Sequence, residues 1–364
     1  MLRHTSLVIL RLTRDCNLNC KYCFMTNKAD FKGETINPEV VKQVVKDIKL
    51  YYTEDKPPIN IVFHGGEPTL IGYDYLKTIL SYMEEELADI PHSFSMQTNG
   101  TLLDDKILGL LQEYDVNVGL TYDDPERGIK KTLFNRKIEL LNNYNLAYSF
   151  IIISGKNNID DYQNMKKDIL KTTSSYKVNY LEDFHTELET DGYEFFNKIY
   201  KPEIDEFIKT GKIYENRLLE ILISYYEDTS KWKTGCGSMF CGAGINMIGI
   251  NPDGTSHYCD RYDREYRETF VRNILDYDFL GLTQYKRAVD YNIERHKVVL
   301  EQGCDKCRAR KICDGGCMAF YYSKHHKWGI DEKLVCNLYL PLYDYIKEHE
   351  QKIKERLNEM QQMR

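Results

Sequence analysis

From residue 6 to about residue 182, short apolar runs alternate with stretches whose apolar residues recur every three or four positions. The runs Leu7–Leu12, Ile59–Phe63, Phe94–Gln97, Val116–Leu120, Ala147–Ile153 and Val178–Leu181 predict strands. Between them, Glu39–Tyr52, Tyr73–Leu87, Asp104–Tyr114, Leu133–Leu141 and Ile159–Thr172 predict amphipathic helices, the first with Val40, Val41, Val44, Val45 and Ile48 on one face. Such alternation implies right-handed crossovers and an α/β fold, a parallel sheet with helices outside it. Part of an eight-stranded barrel and an open doubly wound sheet share this pattern, so periodicity leaves both open. In either, chemistry gathers in the loops after the C-terminal ends of the strands.

Further along, residues 183–232 read as a polar, tyrosine-rich helical bridge, and from Trp232 to Cys336 the chain changes to short segments rich in Gly, Cys and turn residues. Leu338–Arg364 reads as a helix whose last half is solvated. The expected divisions are therefore 1–182, 183–232, 233–340 and 341–364. A chain of 364 residues with 42% hydrophobic and 29% charged residues has enough material for a core and is not a disordered one. Its net charge of -7 does not point to nucleic acid or an anionic membrane as a partner. The longest apolar runs are far too short to span a bilayer, and the first stops at Arg11 without a cleavage site, so the expected location is the cytoplasm.

The eleven cysteines are an odd number and lie in two groups, three between Cys16 and Cys23 and eight between Cys236 and Cys336. In a reducing compartment that favours two thiolate-rich metal sites over a disulfide scaffold. Cys16-x3-Cys20-x2-Cys23 directly follows the first strand. A structural zinc or an iron–sulfur cluster usually takes four protein ligands, so three thiolates, if no fourth ligand comes from elsewhere, leave one iron with a free position. The polar surroundings weigh against inert buried thiols.

This loop, with Tyr22 just before its last cysteine, resembles the signature of radical S-adenosylmethionine (SAM) enzymes. The resemblance implies a partial (β/α)6 TIM barrel, with the three cysteines holding a [4Fe-4S] cluster whose open iron chelates SAM. One electron then cleaves SAM, and the resulting 5′-deoxyadenosyl radical abstracts a hydrogen atom from substrate. After the second strand, His64-Gly65-Gly66-Glu67-Pro68 resembles the family's GGEP motif. Alone, a Gly-Gly pair is usually a turn. Gln97-Thr98-Asn99-Gly100 resembles the segment lining the SAM or substrate pocket, Thr121 falls where relatives place a hydroxyl, and Arg136 matches an arginine that would pair with the SAM carboxylate. The implied SAM-binding set is Tyr22, Gly65, Gly66, Glu67, Asn99, Thr121 and Arg136. Arg136 also fits a solvated helix face, and His64, which replaces Gln or Trp of some relatives, fits a structural hydrogen-bonding group.

The remaining cysteines include Cys304-x2-Cys307-x5-Cys313-x3-Cys317, with the turn Asp314-Gly315-Gly316, and Cys336 after a gap. This looks like the SPASM pattern of radical SAM peptide modifiers, a C-terminal cysteine-rich iron–sulfur domain. By that resemblance Cys236, Cys241, Cys259 and Cys317 hold one auxiliary cluster and Cys304, Cys307, Cys313 and Cys336 another, giving three [4Fe-4S] clusters in all. Structural zinc is the physical alternative, since C-x2-C pairs serve both metals. Asp260 follows Cys259 directly, where sulfatase-maturing relatives place their proposed general base; a salt-bridged aspartate beside Arg261 and Arg264 is the plainer alternative.

The resemblance covers roughly residues 7–340 and implies an oxidoreductase acting on a peptide or protein side chain. Two outcomes compete: a thioether or carbon–carbon cross-link in a ribosomally synthesised peptide, toward which the His64-to-Pro68 segment leans, and conversion of Cys or Ser to formylglycine in a sulfatase. A reductant such as flavodoxin or ferredoxin is implied. All eleven cysteines are absorbed by three clusters, which argues against epimerase-type relatives that use a spare thiol. The chain starts almost at its first strand, so a substrate leader is expected to be recognised by the core enzyme or by a separate leader-peptide-binding protein. A non-catalytic iron–sulfur carrier or zinc-binding module is the distant alternative, and it needs neither a GGEP-like turn nor a three-thiolate loop.

Overall fold

The architecture comes from a computed structural model that describes residues 6–20, 23, 25, 28–54, 56–122, 131–173, 175–180, 190–226, 242–244, 246–261, 270–283, 286–313, 315–325, 327 and 329–362. The expected alternation is present as β1 (Leu7–Thr13), α1 (Pro38–Tyr51), β2 (Ile59–Gly65), α2 (Tyr73–Glu86), β3 (His92–Thr98), α3 (Asp105–Glu113), β4 (Asn117–Thr121), α4 (Lys131–Asn143), β5 (Tyr148–Ser154), α5 (Tyr162–Ile169) and β6 (Tyr176–Tyr180). By packing, the chain forms two units, each made of two stretches: Met1–Ser149 with Gly242–Asn292, and Phe150–Cys241 with Ile293–Arg364.

In the first unit the strand order is β4-β3-β2-β1, continued by β7 (Met247–Ile250), β8 (Thr255–His257) and β9 (Phe270–Asn273). β1 to β4 and β7 run parallel; β8 pairs antiparallel with β7, and β9 antiparallel with β8. Helices start where the sequence supplies caps. Asn37 accepts a hydrogen bond from the Glu39 N–H and Pro38 occupies the first turn of α1, while the Asp104 side chain caps α3. The apolar face of α1 is fully used: Val40, Val41, Val44, Val45 and Ile48 are all buried, each worth about 1.5–3 kcal/mol relative to exposure.

Strand β2 buries Ile59, Ile61, Phe63 and Gly65 while Asn60, Val62 and His64 stay half-buried, and β3 shows the same alternation at Ser95 and Gln97. Strands of a parallel sheet covered on both faces are usually apolar throughout. Here one face is covered by helices and the other carries a polar, partly accessible row. That row leads to the C-terminal strand ends.

In the second unit β5 pairs parallel with β6. The region read as a bridge is helical: α6 (Gly192–Phe195) runs through a π-helical turn, Phe196–Tyr200, into α7 (Lys201–Thr210), followed by α8 (Asn216–Tyr226). A buried ionic knot holds α5 to α7, where Lys166 Nζ lies 2.5 Å from Glu203 Oε1 and the Tyr162 hydroxyl donates to the same oxygen at 2.8 Å. The first unit also holds α9 (Phe279–Thr283) and the start of α10 (Lys286–Glu301), and the second unit continues with two short helices, α11 (Arg310–Cys313) and α12 (Met318–His325). The expected helix over Leu338–Arg364 is two, α13 (Asn337–Glu348) and α14 (Glu350–Gln362), broken at His349 where φ is -108°. No helix among the described residues is long and apolar enough to cross a membrane.

Candidate active site

The loop after β1 is anchored before its first cysteine. Arg14 is buried, stacks 4.0 Å over the Phe31 ring, and donates through Nε to Glu34 Oε2 at 2.8 Å. Asp15 is held by its own N–H on Thr13 Oγ1 (3.0 Å) and by its carboxylate accepting from Gly33 N (2.9 Å). Beyond it, Cys16, Cys20 and Cys23 are half-buried and form no disulfide. Leu18 N donates to Cys16 Sγ at 3.4 Å and Cys23 N to the Cys20 carbonyl at 3.2 Å, so the loop curls back on itself around its cysteines. Tyr22 lies outside the described residues.

Gly65 and Gly66 end β2 directly against this loop. Gly66 N donates to the Thr13 carbonyl and Glu67 N to the Asp15 carbonyl, both at 2.9 Å. A Cβ at Gly65 would stand 2.0 Å from Thr13 O, and one at Gly66 2.1 Å from Asp15 O, so main chain docks on main chain only because both side chains are missing. Glu67 is fully buried. Its carboxylate accepts from Thr69 Oγ1 (2.6 Å), Thr69 N (3.2 Å), Thr98 Oγ1 (2.7 Å) and Asn99 N (2.8 Å). It thereby ties the end of β2 to the end of β3. Asn99 in turn donates to Asn17 Oδ1 at 2.9 Å, with its Nδ2 4.0 Å from Cys16 Sγ. At the end of β4, Thr121 Oγ1 accepts from Gln97 Nε2 at 3.3 Å. Arg136 is exposed on α4. The structure thus gathers Cys16, Gly65, Gly66, Glu67 and Asn99 into one hydrogen-bonded layer.

Asp260 follows the β7–β8 hairpin. Because β7 lies beside β1, with Leu10 opposite Ile250, the hairpin returns to the end of β1. There Arg11, itself buried, donates through Nε to Asp260 Oδ1 (2.8 Å), through NH2 to the Asp260 carbonyl (2.6 Å) and through NH1 to Asn251 Oδ1 (3.1 Å). His64 Nδ1 lies 3.3 Å from Asp260 Oδ2. Burial pushes the Asp260 carboxyl up, but the charges of His64 and Arg11, the Arg11 hydrogen bond and Arg261 outweigh it and hold the group below the ordinary carboxylate value. The site therefore contains a buried carboxylate kept ionised.

Among the C-terminal cysteines, Cys236 and Cys241 lie outside the described residues. Cys259 is in the first unit, and Cys317 in the second. Cys304, Cys307, Cys313 and Cys336 are neighbours: burial, with the charge of the other thiols, pushes Cys313 up to about 12 and Cys336 up to about 11. The Gly315 N–H bonds to Cys313. At Gly316, with φ +66°, a Cβ would lie 2.7 Å from Val335 Cγ1, so this turn presses against the residue before Cys336. Four thiols in such surroundings ionise together only with a cation to balance them. Among the described residues no group of three or more His, Cys, Asp or Glu side chains is closed around the position of a single ion.

Sequence reasoning missed Arg11, and its signal was present: a cation inside the apolar strand Leu7–Leu12 needs a buried partner.

Comparison with known proteins agrees with the layout. Residues 10–169 match the model of the Radical SAM superfamily. The chain is 24% identical over 342 residues to a cysteine-type anaerobic sulfatase-maturating enzyme of Clostridium novyi (strain NT), covering 87% of this chain and 88% of that one. It is also 24% identical over 374 aligned positions to the radical SAM cyclopropyl synthase TigE of Paramaledivibacter caminithermalis, covering 94% and 74% of the two chains. The solved structure of native anSMEcpe with bound AdoMet and Cp18Cys peptide shares the fold, with a TM-score of 0.79 at 20% identity over 97% of this chain and 99% of that one. Residues 10–169 are thus a radical SAM domain, and the chain is an enzyme homologous to anaerobic sulfatase-maturating enzymes and to TigE.

Proposed function

We propose that the chain binds SAM and a [4Fe-4S] cluster at the C-terminal ends of β1–β4 and oxidises a residue of a ribosomally synthesised peptide, forming a thioether or carbon–carbon cross-link. The observation that carries this reading is the layer in which Gly65, Gly66, Glu67 and Asn99 clamp the loop that bears three half-buried cysteines. The donor set fits the group: soft thiolates suit iron–sulfur chemistry, and Cys16, Cys20 and Cys23 would hold it. When bound, the cluster and SAM supply a one-electron cleavage that yields a 5′-deoxyadenosyl radical.

The chain's own residues do the rest. Tyr22, Gly65, Gly66, Asn99, Thr121 and Arg136 would contact SAM, the arginine through its carboxylate. Glu67 is used up by four protein donors and acts as a positioning residue for Asn99. Asp260, held ionised by Arg11 and His64, belongs to the proton-handling part of the site. Cys236, Cys241, Cys259 and Cys317 would hold one auxiliary cluster and Cys304, Cys307, Cys313 and Cys336 the other. The crowding of the latter four thiols supports a thiolate-ligated metal centre at that position. A small one-electron carrier such as flavodoxin or ferredoxin would supply reducing electrons in the cytoplasm, and a substrate leader would be read by this chain or by a separate protein.

The peptide found with anSMEcpe supports a peptide substrate, and the similarity to TigE supports bond formation within one. A second reading, oxidation of Cys or Ser to formylglycine, is favoured by the match to the Clostridium novyi enzyme. Anaerobic co-expression with short peptides encoded beside the gene, followed by mass spectrometry, separates them. Loss of two hydrogens with no hydrazide-reactive aldehyde supports the cross-link; an aldehyde at Cys or Ser replaces it with the second reading; unmodified peptides alongside a modified sulfatase segment do the same.

A further inference from the structure

We infer that Asp191 and Gly192, at the start of α6, are positioning residues for Cys336, so that the region read as a bridge is part of the C-terminal thiol site. This rests on the reading above that Cys304, Cys307, Cys313 and Cys336 hold an iron–sulfur cluster. Three of these four thiols are placed by their own stretch of chain. Cys307 N donates to the Cys304 carbonyl at 3.2 Å, Cys313 N to the Ala309 carbonyl at 3.1 Å, and Gly316 N to the Cys313 carbonyl at 3.0 Å. Cys336 arrives from a separate segment to lie beside Cys304 and Cys307.

That segment is a π-helical turn, Glu332–Cys336, leading directly into α13. Such turns are rare and frequent at functional sites. Both residues ahead of Cys336 are gripped from outside the turn. Gly192 lies on the main chain: a Cβ there would stand 2.0 Å from Leu334 O and 2.7 Å from Leu338 N, an approach that a missing side chain alone permits. At Gly316 a Cβ would stand 2.7 Å from Val335 Cγ1. Leu334, Val335 and Leu338 are all buried, so these contacts lie in packed interior.

The residue after Cys336 is held as well. Asn337 Nδ2 donates to Asp191 Oδ2 at 3.1 Å, while Asp191 Oδ1 caps α6 by accepting from Tyr193 N at 2.8 Å. Asp191 and Gly192 together therefore touch the chain on both sides of Cys336, at Leu334 before it and at Asn337 and Leu338 after it. Farther along, Phe196 meets the Tyr345 ring of α13 edge-on, centroids 5.9 Å apart, and the Tyr345 hydroxyl donates to Asp205 of α7. The start of α6 and α7 thus fix α13, and with it the thiol at its N-terminal end. A metal ligand keeps its affinity while the groups around it hold it in place.

The test is iron release from the anaerobically reconstituted holoenzyme to the ferrous chelator bathophenanthroline disulfonate. The iron missing from Cys336→Ala, relative to the parent, defines the share that belongs to this site. In Gly192→Ala and in Asp191→Ala that share is expected to leave about tenfold faster, with the remaining iron leaving at the parent rate. Asp191→Asn, which keeps the cap and can still bond Asn337 through its amide, should stay within about twofold of the parent. Unchanged release in Asp191→Ala, which decides by itself if Gly192→Ala does not fold, overturns the inference. Acceleration of all iron alike, or an Asp191→Asn chain as fast as Asp191→Ala, does the same. A Cys336→Ala chain that retains all of the parent's iron overturns instead the reading of these four cysteines as ligands.

Discussion

Arg11 and Asp260 are 249 residues apart in the chain and meet at 2.8 Å, Nε to Oδ1, with a second bond from the same guanidinium to the Asp260 carbonyl. The pair fastens the turn after the β7–β8 hairpin to the end of β1. Substituting one partner of a buried pair strands the other charge, so Arg11→Met should lower stability by about 3–5 kcal/mol in urea near neutral pH. The folded state holds Asp260 below its ordinary carboxylate value. Its contribution is therefore fully present above about pH 4 and fades as the pH falls through the lowered value. The gap between Arg11→Met and the parent should narrow in acid; a gap of equal size at both pH values would mean that packing, not charge, is what Arg11 supplies.

Asp47 has the opposite sign. On α1 it is buried, accepting from Gln43 Nε2 and from Phe279 N, each at 2.8 Å, and burial pushes its carboxyl up to about 6. The folded state then binds a proton that the unfolded state has lost, so stability falls as pH rises from about 4 to about 6 and is level above that. Asp47→Asn should flatten this slope and match or exceed the parent by about 1–2 kcal/mol near pH 8, read by thermal unfolding across pH. An unchanged slope would show that Asp47 is not its source.

Glu67→Gln keeps the shape of the side chain but points an NH2 at donors. Four bonds end on this carboxylate, two of them from backbone N–H groups. The variant should lose about 2–4 kcal/mol and weaken SAM binding through misplaced Asn99, measurable by calorimetric titration. Full SAM affinity in Glu67→Gln would separate Glu67 from the site.

Gly66→Ala would drive a Cβ to 2.1 Å from the Asp15 carbonyl. The cysteine loop must then lift from β2, so iron taken up on anaerobic reconstitution should fall by the share of one cluster while the C-terminal share remains. Undiminished iron would show that the loop holds its ligands without this contact.

The strand–helix alternation was legible because local period determines it: the expected strand over Val116–Leu120 is observed at Asn117–Thr121, one residue along. The three-thiolate loop and the Gly-Gly pair were legible because each carries its chemistry within a few residues. Other features depend on long-range partners and were not. Glu67 reads in sequence as a ligand contact, yet its four donors come from the following turn and from β3. Arg11 reads as the end of an apolar run, and only the hairpin arriving from residues 247–257 reveals its partner. The break at His349 has no Pro or Gly to announce it.

The claim beneath all of this is that the thiols of Cys16, Cys20 and Cys23 form the SAM-cleaving site. Its most direct measurement is 5′-deoxyadenosine released from SAM by the reduced, reconstituted chain, with the Cys16→Ala, Cys20→Ala and Cys23→Ala triple variant beside it. The account predicts release by the parent and none by the variant, which should still retain iron bound by the C-terminal cysteines. Release by the triple variant, or none by an iron-replete parent, would contradict it.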